Sequence, residues 1–68
     1  MDQNWVKIFS SDLMYKAELV KGLLNENDIE AVVVNKQDSV YLFGEIEVYV
    51  LKDQVIKARH LISLTGEL

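Results

Sequence analysis

The chain has 68 residues, half of them hydrophobic by type, no proline, no cysteine and a net charge of −4. That is the length of one small domain, expected as residues 1–68 with a core over about 5–62 and a short, fraying tail at 63–68. Disulfides, thiolate zinc sites, iron–sulfur clusters and thiol catalysis are excluded, the lone His60 cannot build a multi-histidine metal site, and the acidic balance disfavours nucleic-acid binding.

No apolar run approaches the ~20 residues needed to span a bilayer, so no membrane partner is expected. Met1-Asp2-Gln3-Asn4 has neither the basic region nor the apolar stretch of a signal peptide. A cytoplasmic location is the expectation. Trp5-Val6-Lys7-Ile8-Phe9 reads as the first strand, rich in aromatic and β-branched residues. Its period of two places Val6 and Ile8 on one face and Trp5, Lys7 and Phe9 on the other. Ser10-Ser11-Asp12 supplies helix N-cap chemistry, with Asp12 suited to the positive end of the helix. From Leu13 the period changes: Leu13, Ala17, Val20 and Leu24, with Leu23 beside them, form the apolar stripe of a helix of about four turns. Gly22 interrupts it and leaves room for a neighbour to approach. Asn25-Glu26-Asn27-Asp28 ends the helix, since Asn and Asp best tolerate a left-handed cap.

Ile29 to Val34 reads as the second strand, and its three valines suggest cover on part of both faces. Asn35-Lys36-Gln37-Asp38-Ser39 is a polar turn. Val40 to Phe43 reads equally as strand or as a lid over the sheet, with Gly44 permitting a bulge. Glu45 to Val50 alternates cleanly as the third strand, with Ile46, Val48 and Val50 inward and Glu47 and Tyr49 outward. Asp53 opens a second helix with Val55, Ala58 and Ile62 inward and Leu61 beside them. The order is β-α-β-β-α, an α+β chain. A right-handed crossover makes the first two strands parallel, and the third inserts between them, antiparallel to both. The expected architecture is a ferredoxin-like split β-α-β: a three-stranded sheet of order 1-3-2 with both helices on one face.

Three stretches together resemble a known family. They are Trp5-Val6-Lys7-Ile8-Phe9, then Ala17-Glu18-Leu19-Val20-Lys21-Gly22-Leu23-Leu24, then Ile29-Glu30-Ala31-Val32-Val33. Val48-Tyr49-Val50 followed by Ala58-Arg59-His60-Leu61-Ile62 continues the match, as does the loop Asn35 to Ser39. The pattern is similar to the small bacterial domain family called putative prokaryotic signal-transducing protein, across about residues 5 to 62. The resemblance implies a ferredoxin-like sheet, compared by shape to PII-type nitrogen regulators, and a role in signal transduction. Shape alone does not give function. Where the resemblance calls for glycine before the second strand, this chain has Asp28. If Asp28 is left-handed, Asp28→Gly should be neutral or stabilising.

Two candidate sites emerge. Strand parity gathers Trp5, Lys7, Phe9, Glu47 and Tyr49 on the helix-free sheet face, and clustered exposed aromatics mark contact surfaces. The competing reading is a second small core closed by Val40 to Phe43. The hairpin loop Asn35, Lys36, Gln37, Asp38 and Ser39 is the second candidate, against a plain solvated turn in which Asp38 and Ser39 bond local amides. Ser10 and Ser11 are expected as caps, His60 as a surface residue, and Glu45 and Glu47 as a solvated strand face. Serine has no spacing relation to His60 that would suggest a catalytic pair. The reading is a non-enzymatic interaction or regulatory module without cofactor. Its expected occupant is a protein partner or a second copy, through the open sheet face; a small-ligand sensor is the alternative.

Overall fold

The computed structural model describes residues 3–37 and 44–66. The elements are β1 (Trp5–Ser11), α1 (Met14–Glu26), β2 (Ala31–Asn35), β3 (Ile46–Leu51), a 3-10 turn (Lys52–Gln54) and α2 (Val55–Ser63). The sheet order is β1-β3-β2, with β3 antiparallel to both neighbours. This is the expected split β-α-β arrangement. Asp38, Ser39, the segment 40–43 and the last two residues of the tail lie outside the described residues. No helix among the described residues is long and apolar enough to cross a membrane.

One apolar cluster holds the layers together. Ile46, Val48 and Val50 project from β3 into Ala17, Val20 and Leu24 of α1, Ala58 of α2, and Ile29 and Ala31 at the start of β2. Val55, Leu61 and Ile62 of α2 close its rim. Both helices therefore cover the same sheet face. The helix period selected Ala17, Val20 and Leu24 correctly, and all three are fully buried. Leu13 lies outside this stripe and is 41% exposed, because the helix starts after it.

The start of α1 departs from the sequence reading. β1 runs on through Ser10 and Ser11, so neither serine caps the helix. Leu13 is the N-cap residue, without a side-chain cap, and no acidic residue lies in the first turn. Ser11 Oγ instead accepts the Leu13 N–H at 3.1 Å, bending the chain between strand and helix. A strand partner explains the difference: Ser10 and Ser11 pair with Glu47 and Ile46 of β3.

The end of α1 is a Schellman motif, in which a left-handed residue closes the helix with two backward bonds. Asp28 has φ 63°. Its N–H donates to the Asn25 carbonyl at 3.2 Å, and the Ile29 N–H donates to the Leu24 carbonyl at 2.9 Å. Leu24 and Ile29 are buried in the core cluster, which supplies the apolar contact that accompanies the motif. Asn27 Nδ2 donates to the Leu23 carbonyl at 2.8 Å.

β1 carries a bulge. Lys7 faces Tyr49 and Phe9 faces Val48, leaving Ile8 without a partner residue. An extra residue inverts the alternation beyond it. Phe9 is thereby turned to the helix side, where it and Ile8 both pack on the core cluster. The expected place of Phe9 on the open face is corrected by this bulge.

Candidate functional site

The open sheet face is built by register. On β1, Trp5 lies opposite Leu51 and Lys7 opposite Tyr49. On β2, Val32 lies opposite Tyr49 and Val34 opposite Glu47. Because side chains alternate, Trp5, Lys7, Val32, Val34, Glu47, Tyr49 and Leu51 share the face away from the helices. Of the five residues expected there, four are present. Val32, Val34 and Leu51 join them, and all three are half-buried.

Glu47 organises the centre of this face. It sits on the middle strand and is only 8% exposed, so it is not the solvated carboxylate its alternating strand suggested. Lys36 Nζ lies 2.9 Å from Oε1, and Lys7 Nζ lies 3.4 Å from Oε2. The Tyr49 hydroxyl donates to Oε1 at 2.8 Å. A sheltered carboxylate survives only when its oxygens are well supplied with donors, and here three side chains supply them. The Lys36 hydrogen bond, followed by that of Tyr49, pulls the Glu47 carboxyl down to about 2 against an ordinary 4.5, overcoming the opposing effect of desolvation. The same hydrogen bond with Glu47, reinforced by its charge, raises the Lys36 ammonium above 10.5.

The hairpin delivers Lys36 to this cluster. The Lys36 N–H donates to the Glu45 carbonyl at 3.1 Å, closing the β2–β3 end. Gly44 has φ 94°, and a Cβ there would collide with the Lys36 carbonyl oxygen. Only glycine satisfies both the left-handed backbone and the close approach. Asn35 Oδ1 accepts the Gln37 N–H at 2.9 Å, an Asx turn. Gln37 Nε2 donates to the Asp12 carbonyl at 2.8 Å, tying the loop to the β1–α1 junction. Of the loop candidates, Lys36 reaches the open face, while Asn35 and Gln37 hold the turn. His60 lies exposed on α2, and Glu45 is exposed next to the start of β3.

At the far end of the face, where Trp5 meets Leu51, a shallow recess of about 250 Å³ is lined by Asn4, Leu51, Lys52 and Asp53. Two of these residues are joined directly, the Lys52 N–H donating to the Asn4 carbonyl at 2.8 Å.

The central grouping Lys7–Glu47–Lys36–Tyr49 was only half legible. Parity put Lys7, Glu47 and Tyr49 together, but Lys36 stood in a separate loop. The signal that was available is the placement of a glutamate between Ile46 and Val48 of a strand flanked on both sides.

Residues 5–64 match the family described as putative prokaryotic signal transducing protein. The chain belongs to that family. The description concerns signal transduction and names no enzymatic activity. No curated protein and no solved structure gives a significant match.

Proposed function

We propose that this family member is a non-enzymatic docking module that receives a protein partner on its open sheet face. The observation that supports the reading is the Glu47 cluster. It fixes Lys7, Lys36 and Tyr49 in place before any partner arrives, among the apolar side chains Trp5, Val32, Val34 and Leu51. Preorganised polar groups amid apolar anchors lower the ordering cost of association. Aromatic anchors such as Trp5 and Tyr49 are the residues that most often dominate binding energy.

Charge favours a foreign partner over a second copy at this face. Two lysines share one carboxylate, leaving a surplus positive charge on a chain whose total is −4. A second copy would bring the same surplus against it, whereas an acidic, apolar segment complements it. The recess of about 250 Å³ falls below the roughly 300–1,000 Å³ of usual small-molecule sites. That weighs against metabolite sensing there.

The test is selection from a displayed library of random peptides, with the wild-type chain as target and Trp5→Ala/Tyr49→Ala as counter-target. The expected result is enrichment of apolar peptides carrying Asp or Glu that lose at least tenfold affinity for the double variant. No enrichment, or equal binding to both proteins, overturns the reading.

A further inference from the structure

The helical layer carries a second surface, which the sheet-face reading does not use. On α1, Tyr15 is 60% exposed and Leu19 is 52% exposed. At 100° per residue both project opposite the buried stripe Ala17, Val20 and Leu24. Gly22 and Glu26 continue the same line, so the outward residues 15, 19, 22 and 26 repeat with the 4-3-4 spacing of a coiled-coil seam. Gly22 has an unusual setting. A Cβ placed there would meet nothing within 4 Å, so no part of the described chain requires the missing side chain. The helix presents two exposed apolar knobs and, one turn further, a gap.

We propose that this face binds a second copy of the same face, with the two α1 helices antiparallel. Antiparallel pairing that brings residue 15 against 26 also brings 19 against 22. Each Leu19 then enters the gap over the other copy's Gly22. Each Tyr15 hydroxyl meets the other copy's Glu26 carboxylate, a charge-assisted donor–acceptor pair. In this register the flanking Glu18 lies nearest Asn25 of the other copy and Lys16 nearest its Leu23, so no like charges oppose. The parallel alternative sets Glu26 against Glu26 and gap against gap, with helix dipoles aligned, and is disfavoured on all three counts. The contact is isologous and closes as a dimer. α2 extends the surface. Lys57 Nζ donates to the Asn27 carbonyl at 3.3 Å, setting the start of α2 beside the end of α1, and the adjoining Ile56 is 87% exposed. One helix pair with such a flank buries less than the roughly 1,200 Å² of standard interfaces. The dimer is therefore weak, with a Kd on the order of 10 µM to 1 mM.

Sedimentation equilibrium across a dilution series tests this, with four proteins. Wild type should rise from one to two chain masses with concentration. Leu19→Lys and Gly22→Leu should remain monomeric at every concentration while keeping their circular dichroism. Gly22→Leu should also melt higher than wild type, because it removes a helix-interior glycine and nothing within the chain obstructs it. Trp5→Ala/Tyr49→Ala should associate like wild type. Register is read by disulfide formation in the otherwise cysteine-free chain: an equimolar mix of Leu19→Cys and Gly22→Cys should cross-link at least fivefold faster than either alone. A wild type that stays monomeric to 1 mM overturns the proposal. So does association that survives both helix substitutions, or that is lost only in the sheet-face variant.

Discussion

Glu47 is the residue on which the open face depends, and its ionisation makes that testable. Its folded carboxyl is lowered to about 2 from 4.5 by Lys36 and Tyr49. The unfolded chain therefore binds more protons than the folded chain between those values. The stabilisation is complete above about pH 4.5 and is lost as pH falls toward 2. Melting temperature should thus fall through that window, and Glu47→Gln should flatten this part of the profile while melting lower at neutral pH. A Glu47→Gln curve parallel to wild type would show that other carboxylates set the acid limb. Asp28 is a second residue-scale case. With φ 63°, its Cβ strains the left-handed cap. Asp28→Gly should stabilise by up to ~1 kcal/mol, raising the melting temperature by about 4–8 °C if the full amount is realised. A lower melting temperature would mean that the Asp28 side chain itself stabilises the turn. This position was legible in the sequence, because few residues other than glycine, Asn and Asp end a helix in this way.

At the scale of elements, the two strand pairings explain both what the sequence revealed and what it hid. Simple alternation placed Ile46, Val48 and Val50 inward, as found, because β3 is central and regular. The same rule failed for Phe9, because it assumes a ladder without insertions. The bulge falls at the apolar doublet Ile8-Phe9 and turns Phe9 inward, but Trp5-Val6 is an equal doublet in regular register, so the residue pattern does not mark the insertion. The consequence is energetic. Phe9→Ala removes part of the core and should cost ~2–3 kcal/mol, below the range for a fully buried phenylalanine because Phe9 is half-buried. Trp5→Ala, on the open face and outside the residues packed on the core cluster, should cost less. Urea denaturation of both variants decides the matter; equal losses would contradict the bulged register. The N-cap expectation at Ser10 and Ser11 failed for a related reason. Cap chemistry is a local preference, and pairing with Glu47 and Ile46 extends the strand through those serines.

For the whole molecule, the fold divides the surface into two faces of different character. The helices cover one side of the sheet and leave their own outer side carrying Tyr15, Leu19 and Ile56. The other side of the sheet carries the fixed Lys7–Glu47–Lys36 cluster with apolar side chains on the same face. The fold class followed from the sequence because helix and strand periods were clear and the crossover rule left few topologies. The Lys36–Glu47 pair did not follow, since 11 positions of chain separate the two residues and the β2–β3 register that pairs Val34 with Glu47 is what brings them together. The proposed docking on the sheet and the proposed pairing through the helices would use these separate faces.

The most direct measurement is amide chemical-shift mapping of the labelled chain during titration with an acidic, apolar peptide that wild type enriches from the displayed library. The account predicts saturable shifts centred on Trp5, Lys7, Val32, Val34, Lys36 and Tyr49, with the outer positions of α1 and α2 unchanged. Shifts confined to the helices, with the sheet residues silent, would contradict it.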